Sequence, residues 1–118
     1  MGSIIAEKSF VFAVKVVKEV RKLKKETQEY EMLNQLMRSA TSIGANATEA
    51  EFAQSTRDYV SKFNIALKEA NETRYWLRLV NATEILPKDE FEDLLRDVEE
   101  LIRILVSIVK TTREKNNL

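Results

Sequence analysis

Apolar residues recur at three- and four-residue intervals along almost the whole chain, the spacing that keeps them on one side of an α-helix. At about 100° per residue they resolve four amphipathic segments, about residues 3–25, 29–52, 55–82 and 87–113, parted by short polar breaks. In the fourth, Phe91, Leu94, Leu95, Val98, Leu101, Ile102, Leu105, Ile108 and Val109 form one stripe. Tyr59, Phe63, Ala66, Leu67, Ala70 and Leu77 do the same in the third. Ser55-Thr56-Arg57-Asp58 puts a capping hydroxyl three residues ahead of a carboxylate. Pro87 opens the fourth segment, and Asp89, Glu90, Glu92 and Asp93 follow where the positive end of a helix favours them. Asn116-Asn117-Leu118 is expected to fray. Short connections between long helices favour antiparallel neighbours. The expectation is an all-α, up-down-up-down antiparallel four-helix bundle, with residues 1–118 as a single domain.

The apolar surface exceeds the needs of one core. In the first segment Phe10, Phe12, Ala13, Val14, Val16, Val17, Val20 and Leu23 span an arc of about 200°, where about 100° suffices to face a core. In the third, Ile65, Tyr75, Trp76 and Leu79 lie opposite the core stripe. Self-association follows, with Phe12, Val16, Ile65, Tyr75, Trp76 and Leu79 as the expected contact residues of a homo-oligomer. In the second segment the core side turns small towards its end, through Ala40, Gly44, Ala47 and Ala50, which predicts close helix packing. On another face of that segment Gln35, Arg38, Ser42, Asn46 and Glu49 align within about 80°. This is either a solvated face or a partly buried seam in which Arg38 pairs with Glu49, Glu69 or Glu72.

Composition removes many activities. The 118 residues contain no His and no Cys, so the commonest neutral-pH base, thiol nucleophiles and Cys/His metal sites are absent. Two glycines and one proline exclude hairpin-rich β folds, a P-loop and a dinucleotide fingerprint. Glu69 and Glu72 cannot complete the Glu-x-x-His motif of di-iron bundles. No catalytic residue, cofactor or metal is expected, and the chain reads as a non-enzyme.

Lys and Arg (19) balance Asp and Glu (19), so contact with phosphates has to rest on local charge. Residues 15–26 hold the one clear surplus: Lys15, Lys18, Arg21, Lys22, Lys24 and Lys25 against Glu19 and Glu26. These cations are candidate nucleic-acid contacts. They also suit a helix C-terminus and, in the expected topology, face the acidic start of the fourth segment. The longest greasy run, Leu101 to Val109, is broken by Arg103 and too short for a membrane. Met1-Gly2-Ser3 resembles an expression scar, and the myristoylation pattern fails at Ala6. Asn46, Asn71 and Asn81 start Asn-x-Thr triplets inside helical segments and read as chance matches to the glycosylation pattern. A cytoplasmic location is expected.

One run is distinctive: Gln35-Leu36-Met37-Arg38-Ser39-Ala40-Thr41-Ser42-Ile43-Gly44-Ala45-Asn46, followed by Glu49-Ala50. It resembles the "QLxRSxxSIxAN…EA" signature of the bacterial four-helix bundle proteins, also called the 23S ribosomal RNA intervening-sequence proteins. Ser9-Phe10 with Phe12-Ala13-Val14, and Ala66-Leu67-Lys68-Glu69-Ala70-Asn71-Glu72-Thr73 with Trp76-Leu77, agree in the same order. The resemblance implies up-down bundles assembled into ring-like homopentamers. Some relatives are encoded within sequences that interrupt 23S ribosomal RNA genes. Others serve retroelement reverse transcriptases as accessory proteins that bind nucleic acid and the enzyme. Those relatives are markedly basic, and this chain, with pI near 6.4, is not. The leading expectation is a non-enzymatic homo-oligomer, a pentamer, that associates with RNA or DNA or with a nucleic-acid-processing protein. The alternatives are a protein-binding scaffold without a nucleic-acid role and, last, a small hydrolase.

Overall fold

The structure, a computed structural model, describes residues 3–118. Met1 and Gly2, and with them the readings made of the extreme N-terminus, lie outside the described residues. Four helices follow one another: α1 (Ile4–Leu23), α2 (Tyr30–Ala50), α3 (Thr56–Ala82) and α4 (Lys88–Asn116). They form a rod with extents of 48 × 22 × 20 Å. Among the described residues no helix is long and apolar enough to cross a membrane.

The local chemistry explains the boundaries. Ser3 accepts the Ala6 amide proton at 3.1 Å and so caps α1. Ser55 accepts from the Asp58 amide at 3.0 Å, while the Asp58 carboxylate reaches back to the amide of Gln54 at 3.3 Å. This nearly reciprocal pair satisfies amides that a helix start leaves free. Pro87 is the residue before α4, in extended conformation, rather than its first helical residue. The C-terminal end is more ordered than expected. Helix α4 runs through Asn116, and Asn117 adopts a left-handed φ of 53° that lets the amide of Leu118 bond the Arg113 carbonyl at 3.0 Å.

Side-chain pairs fix the topology. Lys8, Lys15 and Lys22 of α1 meet Glu100, Asp93/Asp97 and Glu90 of α4, numbers rising on one helix and falling on the other. Arg38 and Glu49 of α2 meet Glu69/Glu72 and Lys62 of α3 in the same opposed sense. Each helix packs on its sequence neighbour, α1 closes on α4, and the diagonal pairs do not touch. This is the up-down bundle that short connections demand. The core holds Phe12, Leu36, Ile43, Phe63, Leu77, Leu101 and Leu105, all 2 % exposed or less.

Two features of the interior bear on function. The small side of α2 meets α1 closely: a Cβ on Gly44 would lie 3.2 Å from the Ser9 hydroxyl oxygen. Between α2 and α3 the buried hydroxyls of Thr73 and Ser39 lie 2.9 Å apart, and they also bond the Glu69 and Leu36 carbonyls. All three buried polar side chains, Ser9, Ser39 and Thr73, thus return their protons within the bundle, as burial requires. The amides of Asn46, Asn71 and Asn81 are likewise spent on backbone carbonyls within or next to their own helices.

The structure corrects one group of expected contact residues. Phe12 (2 % exposed) and Val16 (0 %) belong to the core of the single chain and leave no surface for another copy. The wide apolar arc of α1 is centred on them, and its exposed flank consists of other residues.

Candidate functional site

Four surfaces carry the chemistry, beginning with the basic end of α1. Lys15 bonds both Asp93, at 2.7 Å, and Asp97. Lys22 lies 3.6 Å from Glu90. Lys24 bonds Asn34 and sits 5.7 Å from the centroid of the Tyr30 ring. Burial works against the Lys15 ammonium, but its bonds to Asp93 and Asp97 outweigh it and raise its pKa. The same ion pair holds the Asp93 carboxyl below its usual 3.8, with burial opposing. Glu19 adds a carboxylate inside this region, with one oxygen buried and unpartnered. Burial pushes its pKa up, Lys22 opposes, and Glu90 and Glu26 reinforce. Two of the six expected phosphate contacts are therefore neutralised by α4, and among the described residues Lys18, Arg21, Lys24 and Lys25 keep charge that no carboxylate pairs, Lys24 being also held by Asn34 and Tyr30.

The depressed pKa of Asp93 makes stability depend on pH. Its stabilisation is complete above the unfolded value of 3.8 and is lost as pH falls through the lower folded value. Because the pair is half-exposed and Asp97 remains, the effect is about 0.5 kcal/mol. Asp93→Asn is expected to lower the melting temperature by about 2 °C at neutral pH and to be silent well below pH 3.8. Thermal melts of both proteins across that range check this, and an equal deficit at every pH would assign the loss to packing.

The second surface is the polar face of α2. Arg38 bonds Glu69 at 3.3 Å and Glu72, and Gln35 accepts from its Nε at 3.4 Å. Glu72 also accepts from the indole of Trp76 at 3.3 Å. Its bond to Glu72, set against burial, raises the already high pKa of Arg38. Ser42 returns its proton to the Arg38 carbonyl, and Glu49 pairs with Lys62 of α3 at 3.1 Å. The face is thus a zipper between α2 and α3, and Glu49 is not the partner of Arg38. The Arg38 side chain is 47 % exposed, so water still solvates it. Arg38→Ala is expected to cost about 1 kcal/mol, the scale of an exposed pair rather than a buried one. Urea denaturation reads this directly, and a loss of several kcal/mol would show that water is excluded from the seam.

The third surface is apolar and divided. Phe10 (68 %) and Val11 (59 %) stand in solvent on α1, with Ile4 and Val14 beside them. A cleft of about 380 Å³ between α1 and α4 opens next to Val11. On α3, Ile65 and Tyr75 are exposed, whereas Trp76 and Leu79 are partly buried. Tyr75 and Trp76 meet edge to face at 5.1 Å.

The fourth surface lies between α3 and α4, where the sequence reading placed no site. A trough of about 570 Å³ is lined by Arg57, Ser61, Asn64, Lys68 and Arg113, with the apolar residues Val60, Ile65 and Leu118. It continues into a second hollow beside Lys110 and Glu114. Arg113 lies 45 to 56 residues beyond the α3 members of the trough, so only the antiparallel pairing of α3 with α4 brings them together. Among the described residues no cluster of three or more carboxylates is placed to hold a metal ion.

The fold and these surfaces define an all-α up-down bundle with exposed apolar and basic faces. The chain belongs to the 23S rRNA-intervening sequence protein family, whose model matches residues 2–107. It is also similar to a crystal structure from Bacteroides thetaiotaomicron, described as a protein of unknown function from the S23 ribosomal protein family. The two are 47 % identical with a TM-score of 0.88, over 91 % of this chain and 99 % of the other. No curated protein matches the chain.

Proposed function

We propose that this protein is a non-enzymatic assembly module that forms a closed ring of identical copies, a pentamer, and associates with nucleic acid. One observation carries the reading: the two unpartnered apolar patches lie on α1 and α3, helices that do not touch and stand diagonally across the bundle. Their outer faces therefore point to opposite sides. Two different patches on opposite sides favour head-to-tail association, which closes into a ring when the rotation per copy permits. An α1 that exposes Ile4, Phe10, Val11 and Val14 beside its buried stripe is the pattern of a helix that meets a further surface.

The nucleic-acid part rests on cations that no carboxylate among the described residues neutralises, Lys18 and Arg21 on α1, Lys24 and Lys25 just beyond it and those of the α3/α4 trough, which a ring repeats once per copy. Sedimentation velocity at tens of micromolar is expected to give a single species several times the 13.7 kDa protomer mass. A monomer at that concentration overturns the assembly reading. A titration with structured RNA at about 50 and 200 mM salt tests the second part, since binding through several phosphates weakens by orders of magnitude between them. Absence of binding at the lower salt leaves a protein scaffold.

A further inference from the structure

We infer that the trough between α3 and α4, rather than the basic end of α1, seats the phosphodiester backbone of a single nucleic-acid strand; this rests on the nucleic-acid part of the proposed function. Arg57, Ser61, Asn64 and Lys68 are spaced i, i+4, i+7 and i+11, which places them on one side of α3 over a rise of about 16 Å. Arg113 and Lys110 of α4 form the opposite wall. None of these four cations forms an ion pair among the described residues. On α3, Glu69 and Glu72 are turned to α2 and held there by Arg38, and the Asp58 carboxylate accepts from the amide of Gln54. The acids Asp93, Asp97, Glu90 and Glu100 of α4 are turned to α1 and its lysines. The bundle spends these carboxylates on its other seams, and Glu114 is the one carboxylate side chain lining this trough and its extension.

The shape selects the ligand. A hollow between two packed helices, whose axes lie about 8–10 Å apart, receives one backbone. Cations at both ends and along both walls match a repeating anion, and Ser61 and Asn64 offer hydrogen bonds to phosphate oxygens between them. Ile65, 39 % exposed in the trough lining, provides an apolar contact for base faces, which only an unpaired strand exposes.

The test uses the full chain and a fluorescein-labelled uridine 20-mer, followed by anisotropy at several salt concentrations. Arg57→Gln, Lys68→Gln and Arg113→Gln together are expected to weaken binding at least tenfold and to reduce the salt slope by about two, the share of three phosphate contacts on a single strand. Lys18→Gln with Arg21→Gln, Lys24→Gln and Lys25→Gln is expected to change affinity less than threefold. Circular dichroism and native mass establish that each variant keeps its fold and assembly. Loss of binding in the α1 variant with none in the trough variant overturns the assignment while the nucleic-acid reading stands. Failure of the wild-type protein to bind any RNA removes both. Equal displacement of the strand by millimolar inorganic phosphate also overturns it, because the trough would then hold a single ion rather than a backbone.

Discussion

Phe10→Glu is expected to reduce the assembly to a 13.7 kDa protomer without changing its helical content. Phe10 is mostly solvent-exposed in the single chain, so the substitution removes little from the core. In a dry contact between copies, the same carboxylate would be desolvated without a partner, at a cost of several kcal/mol. Each 1.4 kcal/mol is a tenfold loss in affinity, enough to abolish a micromolar association. Tyr75→Glu on the opposite patch is expected to do the same. Head-to-tail geometry adds a sharper expectation: mixing the two variants leaves one intact pair of patches, so they should form a one-to-one dimer and nothing larger. Sedimentation velocity distinguishes these outcomes, and an unchanged mass for Phe10→Glu would falsify the α1 contact. Trp76→Glu is a poorer probe, because its indole bonds Glu72 and its ring packs against the core.

Gly44→Leu is expected to produce the largest loss of protomer stability. The first added carbon already lies 3.2 Å from the Ser9 hydroxyl oxygen, 3.5 Å from the Ser9 carbonyl carbon and 3.6 Å from the Phe10 nitrogen. Two of these neighbours are backbone, so a branched side chain has to wedge α1 away from α2. Overpacking of this kind costs about 1–3 kcal/mol, which corresponds to a fall of about 5–10 °C in melting temperature. Gly44→Ala is milder, since a gain of about 1 kcal/mol in helix propensity offsets a shift of a few tenths of an ångström. Urea titrations of both variants give the comparison. Because the residue that Gly44 approaches precedes Phe10, Gly44→Leu is expected to disturb native mass as well as stability.

The helices were legible in the sequence because a 3.6-residue stripe and a cap are local facts. The α4 stripe from Leu94 to Val109 and the Ser55 cap needed no knowledge of neighbours. The antiparallel order put the basic end of α1 beside the acidic start of α4, but it left Arg38 either solvated or paired with Glu49, Glu69 or Glu72, and only the packed helices select Glu69 and Glu72. What failed was the orientation of α1. A helix apolar over about 200° has no unique inner direction, and only the positions of α2 and α4 decide that Phe12 and Val16 face inward while Phe10 and Val11 face out. The α3/α4 trough was illegible for a related reason. Arg57, Lys68 and Arg113 are unremarkable surface cations until two distant segments are laid side by side. A helical wheel of α3 that sorted charges by side would have shown its basic flank, though not its partner.

The thin closure between α1 and α4 has a consequence for how the molecule opens. The other contacts join consecutive helices, and this one alone closes the ring of four, across all that intervenes between Leu23 and Lys88. Contacts between neighbours in sequence form quickly, whereas closing a long loop delays the reward. The seam between α1 and α4 is therefore expected to close last in folding and to part first under native conditions. Amide exchange along α1 should then report the state of assembly. In a dilute protomer its protons exchange early, and when a neighbouring copy covers Phe10 and Val11 the same protons exchange only with the rest of the bundle.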